Sequence, residues 1–214
     1  MDDLPGGMKY SDQATIGLIS MLEDEESPSQ RSLAKRIGVA LGLTNSLLKR
    51  CIRKGFIKVS QAPAKRYSYY VTPRGFSEKS RLVAEYLTTS LSFFRQAKEE
   101  YAQIFRDLET QGRKRVALYG IGELAEIAQL AAQESGVELM YVIQPGSNQE
   151  FLGDLDVVNS LDVLERENLD AVVVACAQTP QAAYDLLREQ LGDRNIYAPS
   201  LLHISTGKYT EASS

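Results

Sequence analysis

Apolar residues in the first quarter of the chain recur at helical spacing in three short stretches. These stretches run from Ser11 to Leu22, from Ser29 to Ile37 and from Leu41 to Lys54. Gly38 suits the turn between the second and third stretches, and Gly55 stops the third. Two short helices joined by such a turn predict a helix-turn-helix, an arrangement whose second helix enters the DNA major groove.

Two runs rich in β-branched and aromatic residues follow this motif. Phe56 to Ser60 is predicted as one strand, Gln61 to Arg66 as a loop and Tyr67 to Val71 as a returning strand. A hairpin placed directly after a helix-turn-helix is a wing.

The third predicted helix has one apolar and one polar face. Residues expected to pack inward are Thr44, Leu48, Cys51 and Ile52, and those expected to face outward are Asn45, Ser46, Lys49, Arg50 and Arg53. The inward position of Cys51 predicts a small core residue, with a redox role as the alternative.

A long helix is predicted to begin at Pro73, because proline is favoured at a first helical position. Leu87, Phe94, Tyr101 and Leu108 recur every seven residues along it. We expect this stripe to pair with the same helix of a second copy, giving a homodimer. The alternative is that the stripe packs only on the protein's own domains.

The remainder of the chain alternates continuous apolar strands with helices. The strands are predicted at 116–119, 137–143, 171–175 and near 195–197, and this pattern is typical of a parallel sheet covered on both faces. The predicted fold is therefore an α+β winged helix-turn-helix (residues 1–72), a long linking and dimerisation helix (73–111) and an α/β Rossmann-like domain with a parallel sheet (112–214).

A glycine turn of GxGxxA type, Gly120 to Ala125, connects the first of these strands to a helix predicted at Glu126 to Ser135. In that context the turn suggests a phosphate-binding site at a helix N-terminus. Gln144 stands where an acid would hold the ribose of NAD. No cofactor is fixed by this pattern: NAD, another nucleotide, a nucleotide sugar, a coenzyme A-like ligand and an empty fold used for packing all remain open. The candidate ligand-binding residues are Gly120, Gly122, Glu123, Leu124, Gln144, Cys176 and Gln178.

Charge changes the interpretation of the N-terminal region. The whole chain carries a net charge of −4, yet residues 29–81 hold 13 basic residues and one acid, Glu78. Such a concentration predicts a polyanion as partner, and double-stranded DNA fits the helix-turn-helix. The candidate DNA-binding residues are Arg31, Asn45, Ser46, Lys49, Arg50, Arg53, Lys65 and Arg66.

Composition argues against other classes of protein. No apolar run approaches the roughly 20 residues that span a bilayer. The start of the chain is acidic where a signal peptide would be basic, so we expect a cytoplasmic protein with Cys51 and Cys176 reduced. His203 is the sole histidine, Cys176 lacks a partner base, and Asp154 and Asp156 are expected in a solvated loop. We therefore expect neither an enzyme nor a metal site.

The segments PSQRSLAKRIGVALGLTNSLLKRCIRKGFIKV and KRYSYYVTPRGFSEKSRL, together with the helix carrying LTTSLSFFRQAKEEY, resemble the MarR-like winged-helix regulators described as exopolysaccharide-associated. The resemblance covers roughly residues 16–101 and implies a dimeric transcriptional regulator that binds double-stranded DNA and concerns surface polysaccharide. Members of that family stop soon after the long helix, whereas this chain continues for another hundred residues.

A winged helix followed by a dinucleotide fold also resembles, in architecture and glycine turn, the Rex-type redox repressors that sense NADH. Residues 116–143 are similar to nucleotide-fold modules of sugar-modifying enzymes. The leading hypothesis is a homodimeric regulator with an effector-binding or assembly domain. The competing hypothesis is a nucleotide- or sugar-modifying enzyme with a basic docking domain.

Overall fold

The computed structural model describes residues 10–24, 30–38, 40–62, 66–166, 168–192 and 195–205. Contacts divide the chain into two compact units, Met1–Phe93 and Phe94–Ser214. The predicted winged helix, long helix and α/β domain with a mostly parallel sheet are all present. The domain boundaries at 72 and 111 stay predictions.

In the described part of unit 1, three helices and a hairpin precede the long helix. They are α1 (Tyr10–Asp24), α2 (Gln30–Ile37), α3 (Leu41–Arg53), β1 (Ile57–Ala62) and β2 (Arg66–Val71). The strands pair in antiparallel register and extend further toward the turn than the sequence predicted. Ser29, where the second helical stretch was predicted to begin, and residues 63–65 of the predicted 61–66 loop lie outside the described residues.

The core of unit 1 collects the apolar faces of all these elements. Leu18 of α1, Leu33 of α2, Leu48 of α3 and Ile57 of β1 are almost completely buried and belong to one cluster, in which the hairpin is represented also by Tyr69. Burying each such side chain contributes about 1.5–3 kcal/mol. The helical period of the sequence thus determines which face of α3 is buried in the core. The opposite face of α3 is left exposed for contact with a partner.

Helix α4 (Pro73–Thr110) starts where the hairpin ends. Thr72 fixes the start, because its hydroxyl bonds to the carbonyl of Gly55 at 2.7 Å and accepts the N–H of Gly75 at 3.1 Å. This N-cap ties the end of the hairpin, the turn after α3 and the first turn of α4 together.

Unit 2 is built on a six-stranded sheet. Its strands are β3 (Arg115–Tyr119), β4 (Glu138–Ile143), β5 (Phe151–Leu152), β6 (Leu155–Val158), β7 (Ala171–Val174) and β8 (Ile196–Tyr197). The spatial order is β5-β6-β4-β3-β7-β8, and every pair is parallel except β5 with β6. From β6 to β8 this is the order of doubly wound sheets, with the switch point between β3 and β7.

Helices α5 (Glu123–Ala132), α6 (Val163–Arg166) and α7 (Pro180–Leu191) connect the strands of the sheet. Helix α5 starts three residues earlier than predicted, inside the glycine turn, and residues 133–135 form a turn after it. The β5–β6 hairpin was not predicted. Both Asp154 and Asp156 were expected in a solvated loop. Asp154 does lie in the turn of this hairpin, but Asp156 is an exposed residue of strand β6.

Among the described residues, no helix has the length and apolar character needed to cross a bilayer.

Candidate nucleic-acid interface

Helix α3 presents two chemically different faces. Thr44, Leu48 and Cys51 are buried, as predicted, and Ile52 packs against the same cluster. Leu47 is buried as well, which the sequence analysis did not predict. Burial raises the pKa of the Cys51 thiol, outweighing the opposite effect of Arg50 and Lys54. A buried thiol that stays protonated is a core residue, in agreement with the prediction.

The opposite face of α3 is polar and cationic. Ser46, Lys49, Arg50 and Arg53 are all exposed, and the helix contains no acidic residue. Asn45 is half-buried, and its Oδ1 atom is buried with no hydrogen-bond partner among the described residues. An unpaired buried oxygen of this kind costs about 1–3 kcal/mol, so a polar side chain at this position works against stability.

Helix α2 adds positive charge beside α3. Arg31, Lys35 and Arg36 are exposed, and α2 also lacks acidic residues. Of the candidate DNA-binding residues, Arg31 therefore belongs to α2, and Asn45, Ser46, Lys49, Arg50 and Arg53 belong to α3.

The hairpin has an inward and an outward face. Ile57 and Tyr69 point into the core, whereas Lys58 and Tyr70 are exposed cross-strand neighbours. Of the two wing residues assigned to DNA, Lys65 lies outside the described residues. The backbone of Arg66 begins β2, and its side chain is not described.

This arrangement of helices and hairpin has a counterpart among known families. Residues 11–58 match the family model described as winged helix-turn-helix DNA-binding. The match runs from α1 into β1 and includes the cationic face of α3. No curated protein sequence matches the chain.

Several solved structures of bacterial regulators are similar to part of the chain. The PcaV transcriptional regulator from Streptomyces coelicolor is 19% identical, with 46% of this chain and 74% of that chain covered and a TM-score of 0.37. A MarR family regulator from Rhodococcus sp. RHA1 is 18% identical, with 42% and 63% covered and a TM-score of 0.35. MepR from Staphylococcus aureus is 17% identical, with 49% and 77% covered and a TM-score of 0.36.

The positive surface of the winged helix continues into a cleft between the end of α3 and the start of α4. The cleft measures about 520 Å³ and is lined by Arg53, Lys54, Phe56, Arg74, Ser77, Glu78 and Arg81. Hydrogen bonds from Arg81 lower the pKa of Glu78. Lys54 and Arg74 are absent from the candidate residues chosen by sequence, although both contribute to the charge that singled out residues 29–81.

A second candidate site lies in unit 2, at the carboxyl ends of β3 and β7. Gly120 has a φ of +109°, and a Cβ atom there would lie 2.7 Å from the backbone nitrogen of Cys176. This glycine is therefore required for close packing against the loop after β7. Gly122 has a φ of +116° and precedes α5, and a Cβ atom there would enter open space. The two glycines therefore have different surroundings: Gly120 is closely packed, whereas the space beside Gly122 is open.

Gln144 also takes part in this turn. Its Oε1 atom accepts a hydrogen bond from the N–H of Ile121 at 3.2 Å, so the structure brings together the glycine turn and the end of β4. Cys176 is half-buried with its Sγ atom 3.6 Å from the Thr179 hydroxyl, and Gln178 in the same loop is exposed. Leu124 is buried, whereas Glu123 is exposed at the first turn of α5.

Helix α4 contributes one buried polar group near these strand ends. The hydroxyl of Tyr101 donates to the carbonyl of Val174 at 3.0 Å, and burial raises the pKa of this tyrosine. His203, the sole histidine, is exposed after a short 3-10 helix (Ser200–Leu202) and has a left-handed backbone.

Proposed function

We propose that this chain is a DNA-binding transcriptional regulator of MarR type that works as a homodimer. The observation that supports it best is the exposed face of α3, where Ser46, Lys49, Arg50 and Arg53 face outward without an acidic neighbour on the helix. A helix of this kind fits the major groove, and its cations neutralise phosphates on either side.

The side chains divide into two roles. Lys49, Arg53 and the exposed cations of α2 contact phosphates, which gives affinity and register. Arg50 contacts base edges, because a guanidinium group pairs with guanine in the major groove. The predicted base contact of Asn45 requires its side chain to rotate, because its Oδ1 atom is buried in this structure. Lys65 and Arg66 add phosphate contacts from the wing.

The test is binding of the full chain to duplex genomic fragments at low salt, by fluorescence anisotropy. Arg53→Gln should weaken binding to every sequence by a similar factor, whereas Arg50→Gln should change the preferred sequence. Lys114→Gln is the matched control, because it removes an exposed cation from unit 2. An Arg53→Gln variant that binds as tightly as the control would refute the assignment of α3.

The homodimer is supported by exposed apolar residues on α4. Tyr86, Leu87 and Leu91 are 43%, 52% and 51% exposed, and Phe94 follows them at 36%. A helix face of this composition needs a partner, and a second copy offers the same face in isologous packing. The C-terminal half of the heptad repeat does not contribute, because Tyr101 and Leu108 are fully buried within unit 2.

The α/β unit is proposed to bind an effector of nucleotide or nucleotide-sugar type at the turn formed by Gly120 to Leu124, or else to serve assembly. Support comes from the absence of a side-chain cap on α5, which leaves first-turn N–H groups for a phosphate. Glu123 at the same turn opposes an anion, so the site favours ligands that also offer hydroxyl groups, such as the ribose of a nucleotide.

Calorimetric titration with NAD, NADP, nucleotide sugars and coenzyme A tests this site. Gly122→Val should abolish binding because the side chain fills the approach to the turn. The matched control is Gly192→Val: both glycines have positive φ, extended ψ and open space around the added Cβ atom, so backbone strain is comparable. Equal binding to both variants would move the site elsewhere, and no binding to the unmodified protein would leave assembly as the role of the unit.

A further inference from the structure

The first turn of α3 departs from what helix stability favours. Ala40 occupies the N-cap and provides no side-chain hydrogen bond, where serine, threonine, aspartate or asparagine would be favoured. Gly42 follows inside the helix, although alanine forms helices better. Leu41 and Leu43 are then 43% and 53% exposed. Several residues that lower helix stability within one short segment indicate a functional site.

Among the described residues, nothing in the packing or backbone conformation of the protein explains Gly42. A Cβ atom at this position would have no described neighbour within 4 Å, and the φ angle lies outside the positive range that favours glycine. The absence of a side chain therefore leaves the helix backbone open to approach from outside. Gly42 lies on the same face as Ser46, Lys49 and Arg53, at spacings of four, three and four residues.

The two exposed leucines border this open position. Leu43 lies two turns before Arg50 on one side of the face, and Leu41 lies one turn before Asn45 on the other. The surface at the start of α3 is thus apolar, whereas the surface further along the helix is cationic.

Resting on the proposed DNA-binding function, we propose that Leu41 and Leu43 read thymine methyl groups and that Gly42 lets the helix backbone come close to the base edges. The first turn of a recognition helix is the part that meets base edges. The thymine methyl group is the apolar feature of the major groove, and apolar side chains recognise it. The neighbouring cations favour DNA as the partner of this surface, since they would attract phosphates on both sides of the contacted bases.

The test starts with duplexes selected by the full chain from a random pool, whose thymines are then replaced one at a time by uracil. This substitution removes only the methyl group and keeps base pairing. We expect at least one thymine whose replacement weakens binding of the unmodified protein about fourfold. This is the change in affinity expected when one buried methyl-sized group is lost. Uniform tolerance of uracil would overturn the proposal, whereas failure to bind any duplex would refute the proposed function itself.

Leu43→Ser identifies the residue responsible. It should weaken binding to the thymine duplex by a similar factor and show no further loss on the uracil duplex, as a double-mutant cycle requires for a direct contact. Leu130→Ser is the control, since Leu130 is 44% exposed in α5 and should leave binding unchanged. Additive losses would contradict the contact. A change in the oligomeric mass of the protein in solution with unchanged DNA binding would contradict it as well.

Gly42→Ala separates a DNA-contacting role from a structural one, because the two roles predict opposite signs. Alanine should raise the thermal midpoint by a few degrees, since it favours the helix and fits the open space. It should also lower DNA affinity tenfold or more, because the methyl group holds the backbone away from the bases. Unchanged affinity, or a fall in both stability and affinity, would overturn the role given to Gly42.

Discussion

The two halves of helix α4 follow the same sequence pattern and have opposite environments. In the first half Leu87 and Leu91 are about half exposed, whereas in the second Tyr101, Phe105 and Leu108 are fully buried. An unbroken heptad pattern therefore does not mean an unbroken interface. The period shows that a helix has an apolar face, and only the surroundings determine what covers it.

The buried half is also fixed by polar contacts. Tyr101 stacks on Phe105 with ring centroids 6.4 Å apart and donates a hydrogen bond to Val174. Glu100 accepts hydrogen bonds from the hydroxyl of Ser200 and the N–H of Leu201, both at 2.9 Å. The second half of α4 is thus an integral part of the α/β unit, which assigns the C-terminal part of the repeat to intramolecular packing.

The same substitution in each half should give the largest contrast. Phe105→Ala should lower the free energy of unfolding by about 3–5 kcal/mol, because it leaves a cavity in a closed core. Phe94→Ala should cost the folded chain much less and weaken self-association instead. Urea denaturation and light scattering on both variants measure this difference, and equal losses of stability would show that the halves do not differ.

A charge in the exposed half should affect assembly rather than folding. Leu91→Glu should dissociate the proposed dimer at micromolar concentration, since association would bury an unpaired carboxylate. Far-ultraviolet circular dichroism should stay unchanged because the residue is exposed. Leu130→Glu is the matched control on α5, and an unmodified protein that is already monomeric would refute the dimer.

The hydroxyl of Tyr101 should contribute measurably to the free energy of unfolding. Tyr101→Phe leaves the buried Val174 carbonyl without this donor and should cost about 1–3 kcal/mol. Tyr86→Phe removes the hydroxyl of a tyrosine in the exposed half and should cost almost nothing. If chemical denaturation gives equal values for both variants, the contact to Val174 does not stabilise unit 2.

Acid should weaken the buried half through Glu100. Burial alone would raise the pKa of this carboxyl, but hydrogen bonds from Gln96, Leu201 and Ser200 together lower it below its ordinary value of 4.5. The stabilisation is therefore complete above that value and is lost as the pH falls through the lower folded pKa. Glu100→Gln should cost about 1 kcal/mol at pH 7 and less at pH 3.

Glu85→Gln is the control in the exposed half, because the partner of Glu85 is the exposed Arg81. Thermal unfolding should give a small and similar effect for this variant at both pH values. A loss for Glu100→Gln that does not shrink in acid would contradict the role of its ionised form.

The sequence predicts the parts of this fold that periodicity controls. The inward face of α3 follows from Thr44, Leu48 and Cys51, and the parallel strands follow from apolar runs such as 171–174. The β5–β6 hairpin was not predicted, because strands of two and four residues are too short to show an alternation of apolar and polar residues. The bonds from Tyr101 to Val174 and from Ile121 to Gln144 join residues 73 and 23 positions apart, and no local pattern contains them.

For the candidate interface, charge and helical spacing identified the cations of α3 and α2. They did not identify Leu41, Gly42 and Leu43, because exposed apolar residues and an unstrained glycine become unusual only once burial and backbone angles are known. Lys54 and Arg74 flank the α3–α4 cleft through tertiary packing, which sequence spacing does not show.

The salt dependence of duplex DNA binding tests the central claim most directly. For the full chain, the logarithm of the association constant should fall linearly with the logarithm of salt concentration, as phosphate neutralisation requires. Lys49→Gln and Arg53→Gln should each make the slope less steep by about 1 for every phosphate contact removed, whereas Lys114→Gln should leave it unchanged. Absence of duplex binding at low salt, or identical slopes for all variants, would contradict the claim that α3 binds DNA.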